Sequence, residues 1–234
     1  MESSDASISI IIPTLNEVTH IGKLLDYLLK NSNSRYIREL LVVDGGSQDG
    51  TILEAEASGA RVVRSMPGRA LQMNKGAQEA SGEVLYFLHA DTYPPPGFEV
   101  AILEAVTHGC EAGCFRMQFD SKSRLLKFFS WFTRFNYPLC RGGDQSLFIT
   151  DDCFLKSNGF NETYHIYEDN EFTTRLYKIT CFVVLADKVT TSARRYRQKS
   201  TLALQFHFTV MHLKNFLGVG PEALYQYYCR YIAI

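Results

Sequence analysis

Strand-like and helix-like segments alternate along the first ninety residues of the chain, and this alternation restricts the fold more than any other feature. The segments "ISIIIP" (8–13), "ELLVVD" (39–44) and "VLYFLH" (84–89) are nearly continuous apolar runs, and "ARVVRS" (60–65) is a shorter one. Such runs are typical of parallel strands that are buried on both faces. Amphipathic helices are predicted between them, and the apolar face of the first consists of Ile21, Leu24, Leu25, Leu28 and Leu29. The pattern predicts an α/β fold with a Rossmann-like, mostly parallel central sheet flanked by helices.

The second half of the chain has more mixed patterns. "AGCFRMQFD" (112–120) alternates in polarity, which predicts an antiparallel or edge strand. Residues 123–135 predict an amphipathic helix whose apolar face consists of Leu125, Phe128, Phe129 and Phe132. From Thr201 onward, two aromatic-rich helices are interrupted at residues 218–221. We therefore expect a single domain over residues 1–234, with a C-terminal helical extension over about residues 201–234.

Composition and charge narrow the class of protein. Hydrophobic residues make up 46% of the chain, which is enough for a sizeable core. The formal net charge of −1 shows no overall excess of positive charge for a nucleic acid, although a neutral total is compatible with a local basic patch. The six cysteines include no CxxC pair, so we expect free, mostly buried thiols in a reducing compartment. The N-terminal residues are acidic where a signal peptide would be basic, and no apolar run reaches the roughly 18–20 residues of a membrane span. These features favour a cytoplasmic protein, with contact at the inner face of the membrane as an alternative.

Polar residues follow three of the predicted strands at the points where the strands end. They are Thr14 and Asn16 after the first strand, Asp44 after the second, and His89 and Asp91 after the fourth. Ligands of open parallel sheets bind outside the carboxyl ends of the strands. We therefore expect these side chains to contribute to one binding site.

Two of these carboxylates have both a chemical and a structural interpretation. Asp44 precedes a loop of small residues and suits a nucleoside hydroxyl or base N–H, because an ionised carboxylate only accepts hydrogen bonds. The structural alternative is a β-to-α turn in which Ser47 or Asp49 caps the following helix. Asp91 is a hard oxygen ligand suited to Mg²⁺ or Mn²⁺ bound to a diphosphate. Alternatively, it only turns the chain ahead of three prolines.

Three charged segments follow residue 140. "IYEDNEF" is an acidic helix start that contains Glu168, Asp169 and Glu171. The helix macrodipole explains any one of these acids, and the functional alternative is a general base. "RGGDQS" is a Gly-containing loop with Arg141, Asp144 and Gln145. "SARRYRQK" either grips a diphosphate or is a solvated loop, and its cations are Arg194, Arg195, Arg197 and Lys199.

Five segments, taken in order, resemble family 2 glycosyltransferases of the GT-A type. They are "ISIIIPTLNE", "LLVVDGGSQDGT", "GRALQMNKGAQEASGEVLYFLHADT", "GGDQSLFI" and "YEDNEF", and they cover roughly residues 8–175. Each motif alone is weak, whereas the ordered set is specific for the family. The segments "FLHADT", "GGDQ" and "SARRY" are most similar to a bacterial subgroup linked to arsenosugar biosynthesis.

The resemblance implies a GT-A nucleotide-diphospho-sugar transferase fold and inverting transfer of a sugar, for example from a UDP-sugar. About residues 1–110 would form the half that binds the nucleotide-sugar, and about residues 111–200 the acceptor and catalytic half. The residues implied on the donor side are Pro13, Thr14, Asn16, Glu17, Asp44, Gly46, Ser47, Asp49, Arg69, Asn74, Gly76, Ala90, Arg194 and Arg195. Those implied on the acceptor side are Arg141, Asp144, Gln145 and Glu168.

The resemblance also implies the two chemical roles. Asp91 matches the last carboxylate of the family's Asp-x-Asp element, which carries the divalent metal, and Asp169 matches the carboxylate that acts as base. His89 departs from this pattern, because the family commonly has Asp at its position. A neutral imidazole ligates metal, a protonated one contacts phosphate, and either form also packs. For His89, contact with phosphate and packing are both favoured over a direct bond to the metal.

Two other functions compete with this interpretation. A nucleotidyltransferase normally needs a Gly-rich loop with Arg and Lys after the first strand, and "IIPTLNE" has neither. A non-catalytic nucleotide-sugar-binding or scaffold protein with a degenerate metal site is favoured by His89 and opposed by Asp91 and Asp169. The acceptor is either lipid-linked or a small molecule. The C-terminal aromatic residues and the 123–135 helix offer contacts to a lipid, a bilayer or a second subunit, although core packing explains most of them better.

Overall fold

The computed structural model describes residues 7–142 and 144–233 of the chain. Its strands are β1 Ile8–Thr14, β2 Ile37–Asp44, β3 Arg61–Arg64, β4 Val84–Phe87, β5 Thr92–Tyr93, β6 Ala112–Phe119, β7 Leu147–Thr150 and β8 Phe182–Thr191. Its α-helices are α1 Val18–Asn31, α2 Thr51–Ala57, α3 Arg69–Glu79, α4 Phe98–Thr107, α5 Arg124–Trp131, α6 Asp151–Lys156, α7 Glu168–Ile179, α8 Arg194–Gln198, α9 Thr201–Phe216 and α10 Pro221–Tyr231. Across the described residues, one mixed sheet has the order β3-β2-β1-β4-β7-β6-β8-β5.

The first half of the chain confirms the predicted parallel α/β arrangement. β1 lies between β2 and β4 and is parallel to both, and β3 continues the parallel sheet beyond β2. Alternate residues of β1 point to two separate layers of the core: Ile10 packs with α1, α2 and α4, and Ile11 packs with α3, α6 and α7. The prediction for α1 is wrong only at Leu29, which is 59% exposed because it lies at the margin of the buried stripe.

The second half of the sheet is mixed, and it confirms the antiparallel alternative for β6 and not the edge alternative. β6 pairs antiparallel with β7, as the alternating pattern indicates, but it also pairs parallel with β8. β6 is therefore an interior strand and not an edge strand. The short edge strand β5 and the helices α4, α6 and α8 were not predicted, because each is either short or lacks a clear apolar period.

The helix predicted over residues 123–135 is shorter, and its predicted apolar face is only partly buried: Leu125 and Phe129 are half-buried. α5 ends at Trp131 and continues as a 3₁₀ turn over Phe132–Arg134. Its buried residues are Leu126 and Ser130, whereas Phe128 and Phe132 of the predicted apolar face are exposed. The two exposed rings lie 5.2 Å apart, so they pack on each other and not beneath the sheet.

The two C-terminal helices are confirmed, and they pack around a small separate core that contains Leu204, Met211 and Ile232. Core packing accounts for fewer of their aromatic side chains than the sequence suggests, because Phe206 and Phe216 are 64% and 84% exposed. Cysteines of the described chain are free, as predicted, but the expectation that most are buried is wrong: Cys114 and Cys153 are buried, whereas Cys181 and Cys229 are exposed. No helix within residues 7–142 and 144–233 is both long enough and apolar enough to cross a membrane.

Candidate active site

The ends of β1, β2 and β4 lie side by side, as expected for polar residues at the carboxyl ends of parallel strands. Thr14 is the register partner of Asp44, and the Gly45 N–H donates to the Thr14 carbonyl at 2.9 Å. Leu88, which follows β4, donates its N–H to the Ile11 carbonyl at 3.0 Å. The three strand ends therefore form one continuous rim.

Asp44 is the buried carboxylate of this rim. Its Oδ2 accepts hydrogen bonds from the N–H groups of Gly46 and Ser47, both at 2.9 Å, and its side chain is almost fully buried. Its Oδ1 is buried without a hydrogen-bond partner in the described part of the chain. A buried acceptor without a donor is costly, so this oxygen has the capacity to accept a hydrogen bond from a ligand or from water.

Two loops at the rim are joined by hydrogen bonds. The Asn16 N–H donates to Ser47 Oγ at 2.8 Å, so Ser47 holds the first loop and does not cap α2. The N-cap of α2 is Gly50, so neither Ser47 nor Asp49 is the cap; Asp49, which precedes it, accepts from the Thr51 N–H at 2.9 Å through its Oδ1. Thr51 Oγ1 in turn accepts from the Glu17 N–H at 2.9 Å.

Arg194 connects this rim to the second half of the chain. Its Nη2 lies 2.6 Å from Glu17 Oε1, and its Nε lies 3.4 Å from Asp91 Oδ2. The hydrogen bond that Arg194 donates to Glu17 raises the pKa of the Arg194 guanidinium, burial opposes that rise, and the charge of Asp91 adds to it. This cation therefore lies between two carboxylates that were both predicted to serve the sugar donor.

The carboxylate oxygens of Asp91 are of the kind that binds Mg²⁺ or Mn²⁺. They are accessible to an ion, because the side chain is partly exposed on the rim. No group of three or more His, Cys, Asp or Glu in the described residues is arranged to hold a metal ion. One carboxylate combined with substrate phosphates is a normal arrangement for such an ion. The residues present thus fit a metal that is held mainly by a bound diphosphate.

An acidic pair at the start of α7 faces Arg69. Glu168 is almost fully buried, and its Oε1 lies 3.9 Å from Arg69 Nη1. Burial raises the pKa of Glu168, and the charge of Arg69 opposes that rise. Burial, the charge of Glu168 and that of Asp144 raise the pKa of Asp169 well above its ordinary value, and Arg69 again opposes the rise. The half-buried Asp169 carboxylate is thereby made a stronger base than an exposed one.

A cavity of 580 Å³ opens in front of this acidic pair. Seven of the predicted site residues line it: Arg69, Arg141, Asp144, Gln145, Glu168, Asp169 and Arg195. Asp169 also borders a small cavity of 20 Å³ together with Pro13 and His89 of the strand ends. Asp169 is therefore next to both the rim and the large cavity.

Several predicted site residues have structural contacts that explain them. Arg141 is buried, and its Nη2 donates to the Thr133 carbonyl at 2.8 Å. Asn74 holds the loop before α7, because its Oδ1 accepts from the Phe160 N–H at 2.9 Å. Ala90 is buried in the core layer of α1, α2 and α4. Roles of these three residues in ligand binding stay predictions, and Gly143 of the "GGDQ" motif lies outside the described residues.

A scan against protein-family models gives the decisive comparison. The model described as "Glycosyl transferase family 2" matches residues 9–164, which is more than half of the chain. The chain belongs to glycosyl transferase family 2. Glu168 and Asp169 lie a few residues beyond the matched segment of this family 2 protein. The narrower likeness to the subgroup linked to arsenosugar biosynthesis stays a prediction.

Curated relatives match a shorter part of the chain. Glycosyltransferase AglE of Haloferax volcanii is 32% identical over 110 residues, covering 40% of this chain and 33% of the relative. Glucosyl-3-phosphoglycerate synthase of Mycobacterium tuberculosis is 32% identical over 98 residues, covering 38% and 30%. The matched segment thus spans about a third of the length of these relatives.

Solved structures match nearly the whole fold. Mannosyltransferase PcManGT from Pyrobaculum calidifontis, in complex with GDP-Man and Mn²⁺, has a TM-score of 0.70 at 17% identity and covers 97% of this chain and 70% of its own. Glucosyl-3-phosphoglycerate synthase from Mycobacterium tuberculosis, in complex with Mn²⁺, UDP and glucosyl-3-phosphoglycerate, has a TM-score of 0.67 at 18% identity and covers 92% and 81%. The fold of the family 2 protein is therefore the GT-A fold, as predicted.

Sequence reasoning missed the groups that complete this site. Gln72 of α3 is buried, and its Nε2 donates to the carbonyls of Thr14 and Val43, both at 2.8 Å, which holds the ends of β1 and β2 together. The Tyr167 hydroxyl pairs with His212 Nδ1 at 2.5 Å, and burial lowers the pKa of that imidazole. Both residues lie within segments quoted for the resemblance, but nothing in those segments indicates their contacts, because the partners lie 29–58 residues away for Gln72 and 45 for Tyr167.

Gly76 allows α3 to lie close to the sheet at the rim. A Cβ at Gly76 would lie 2.4 Å from Ile11 Cγ2 and 3.0 Å from Val43 Cγ2, both fixed in the core. We expect Gly76→Ala to destabilise the protein by about 1–3 kcal/mol through overpacking. The thermal midpoint would fall by about 2–4 °C per kcal/mol for a chain of this size.

Gly22→Ala is the matched control for that variant. Gly22 also lies within a helix, but its added Cβ would meet only the flexible end of Glu54, which is free to move. We expect this control to be neutral or stabilising, because Ala exceeds Gly in helix propensity by about 1 kcal/mol. Equal losses for the two variants in differential scanning fluorimetry would contradict the packing role of Gly76.

Proposed function

We propose that the protein is an inverting glycosyltransferase that moves a sugar from a nucleotide-diphosphate donor to an acceptor in the 580 Å³ cavity. The observation that carries the proposal is the position of Asp169, which borders both the large cavity and the small cavity beside Pro13 and His89. A carboxylate between a donor rim and an acceptor cavity has the position that a general base needs. Family membership and the GT-A fold support the same reaction.

The rim supports binding of the nucleoside diphosphate. Asp44 Oδ1 accepts a hydrogen bond from the nucleoside, and the loop of Gly46 and Ser47 allows close approach of its backbone. Compared structures of this fold hold UDP, UDP-GlcNAc or GDP-Man, which supports a nucleotide-sugar as the ligand. Arg194 provides positive charge next to the expected diphosphate.

Asp91 is the residue proposed to hold a divalent cation, Mg²⁺ or Mn²⁺, at the diphosphate. Mn²⁺ is present in the two compared complexes with UDP and with GDP-Man, which supports such an ion here. When bound, the ion supplies Lewis-acid neutralisation of charge on the departing phosphate. His89, which lies two residues earlier, is proposed to contact the phosphate or to tune the Asp91 carboxylate.

Asp169 is proposed to take the proton from the attacking group of the acceptor. The acceptor oxygen forms its bond to the anomeric carbon while the bond from that carbon to the phosphate oxygen breaks, and its electron pair leaves with the nucleoside diphosphate. A single displacement of this kind inverts the configuration of the anomeric carbon and needs one base on the acceptor side. The raised pKa of Asp169 favours proton uptake at this step.

The three-part division of the chain is also a proposal. About residues 1–110 bind the sugar donor, about residues 111–200 provide the base and one wall of the acceptor cavity, and about residues 201–234 provide the opposite wall. Gln205, Phe208 and Met211 of α9 and Tyr228 of α10 support the last assignment, because they line the 580 Å³ cavity. Asp144 and Gln145 support the second.

A panel of UDP- and GDP-sugars with Mn²⁺, Mg²⁺ or a chelator tests this function. We expect one donor to raise the thermal midpoint more with Mn²⁺ than with chelator, and to be hydrolysed slowly without an acceptor. The second candidate function, a non-catalytic nucleotide-sugar-binding protein, rests on His89 in place of the expected Asp. Donor binding without any hydrolysis or transfer would favour that candidate.

A further inference from the structure

A second cavity, of 230 Å³, lies between the sheet and α5 and is lined by four cationic side chains. They are Arg116 of β6, Lys127 of α5, Arg134 of the following turn and Lys188 of β8. No Asp or Glu of the described chain lines it. The cavity therefore concentrates positive charge away from the acidic pair of the proposed active site.

The cations are placed together at an energetic cost. Arg116 and Lys188 are register partners on the neighbouring strands β6 and β8, immediately after an irregularity in the pairing. The two positive charges repel each other, and water screens part of this repulsion because Lys188 is exposed. The Arg116 Nε is also buried without a hydrogen-bond partner among the described residues. An anion in the cavity would reduce the repulsion between the cations and accept a hydrogen bond from Arg116 Nε.

The charge around the cavity is unusual for a chain with a formal net charge of −1. Residues 121–143 contain five Lys and Arg and no Asp or Glu, and residues 188–221 contain six and none. These two segments provide α5 and the turn after it, and most of β8–α9. Of these cations, Lys127, Arg134 and Lys188 line the cavity, whereas Arg194 and Arg197 pair with Glu17 and Asp120 elsewhere. The positive charge offered to an anionic surface is therefore that of the cavity itself.

Aromatic side chains project from the same segment. Phe128, Trp131, Phe132 and Phe135 are exposed, and their rings contact one another at centroid distances that include 5.0 Å for Trp131 and Phe135. The Arg134 guanidinium lies 4.7 Å from the Trp131 ring. Exposed Trp and Phe beside Lys and Arg are the composition of a surface that enters the interface of a lipid bilayer.

We propose that α5 and its following turn dock on an anionic lipid bilayer, with a headgroup phosphate in the 230 Å³ cavity and the aromatic rings in the interface. A bilayer fits this face better than a soluble anion does, because the cationic side chains and the exposed rings occur together, and the exposed Trp131 also lines the cavity. Met117, Phe119 and Thr133 line both this cavity and the 580 Å³ cavity. Docking would therefore hold the acceptor cavity next to the membrane surface.

Flotation of the full chain with vesicles tests the proposal directly. The vesicles are phosphatidylcholine alone or phosphatidylcholine mixed with phosphatidylglycerol. We expect binding to the mixed vesicles only, and weaker binding as salt is added, because salt screens the exposed charges. The double variant Arg116→Gln, Lys188→Gln should lower the affinity by roughly 10- to 30-fold. In the wild type, the part of vesicle binding that depends on the aromatic rings should persist at high salt. The double variant Phe128→Ser, Trp131→Ser should lose this part.

A matched control removes two exposed lysines that lie outside the cavity, in Lys23→Gln, Lys156→Gln. This control should float as the wild type does, and the thermal midpoint of every variant checks its folding. Equal flotation of wild type and Arg116→Gln, Lys188→Gln would overturn the proposal. Two results without any vesicle binding would also overturn it. Stabilisation of the protein by inorganic phosphate would indicate that the cavity binds a soluble anion. Sedimentation of the wild type as a dimer, and of Phe128→Ser, Trp131→Ser as a monomer, would indicate that the exposed rings bind a second copy.

Discussion

Asp169→Asn is expected to lower sugar transfer by about 10²–10⁴-fold, the usual contribution of a positioned general base. The amide keeps the shape of the side chain but cannot take a proton, so binding of the sugar donor should change little. The loss would therefore be found in kcat and not in the donor KM. Steady-state transfer with a donor identified by the thermal-shift panel measures both constants.

The same variant is expected to stabilise the protein at neutral pH. Burial and Glu168 raise the pKa of Asp169 in the folded state, so the folded state holds this proton more tightly than the unfolded state does. Stability is therefore lost as the pH rises from the ordinary pKa of Asp through the raised one, and the loss persists at neutral pH. Asn removes that loss, and a rise in thermal midpoint combined with lost activity is typical of a catalytic group.

Two companions make the test of Asp169 specific. Asp151 also has a pKa raised by burial and by Asp152, but it lies at the start of α6 and outside both cavities that Asp169 borders. Asp151→Asn should leave kcat unchanged. Glu168→Gln tests the neighbouring carboxylate. If Asp169→Asn kept full transfer activity and Glu168→Gln lost it, the general base would be Glu168 and not Asp169.

The parallel half of the fold is predictable because each strand there is a buried apolar run. Ile10 and Ile11 of β1 are fully buried on opposite faces, so the run carries a strong signal that needs no knowledge of partners. β6 has no such signal. It lies between an antiparallel and a parallel neighbour, and only the tertiary pairing distinguishes that position from an edge.

The rim of the site was predictable for the same reason, whereas the cavity was not. Asp44 follows its strand directly, so topology alone brings it to the rim. The cavity depends on side chains such as Phe208 and Tyr228, which come from helices far along the chain. α5 was misassigned because hydrophobicity alone puts Phe128 and Phe132 inside, although the structure leaves both exposed. Exposed aromatic rings can indicate a binding surface. In the sequence, however, their spacing looks the same as that of buried rings in a core.

Asp91→Asn is expected to remove most of the response to divalent cations and to lower kcat by about 100-fold or more, because a ligand carboxylate is lost. In the wild type, the Arg194 Nε lies 3.4 Å from Asp91 Oδ2. The variant therefore also removes this ion pair, while the ion pair of Arg194 with Glu17 is kept. Asp120→Asn is the matched control, because it breaks an Asp–Arg pair of α8 at Arg197.

The measurement is a titration of Mn²⁺ against the thermal midpoint and the transfer rate, with the sugar donor present. Asp120→Asn should keep the wild-type curve, and Asp91→Asn should flatten it. His89→Asp should shift the curve to lower Mn²⁺, since it adds a second hard oxygen ligand two residues from the first. An unchanged curve for Asp91→Asn would assign the cation to other groups. An unchanged curve for His89→Asp alone would mean that the imidazole packs at this position and does not tune the ion.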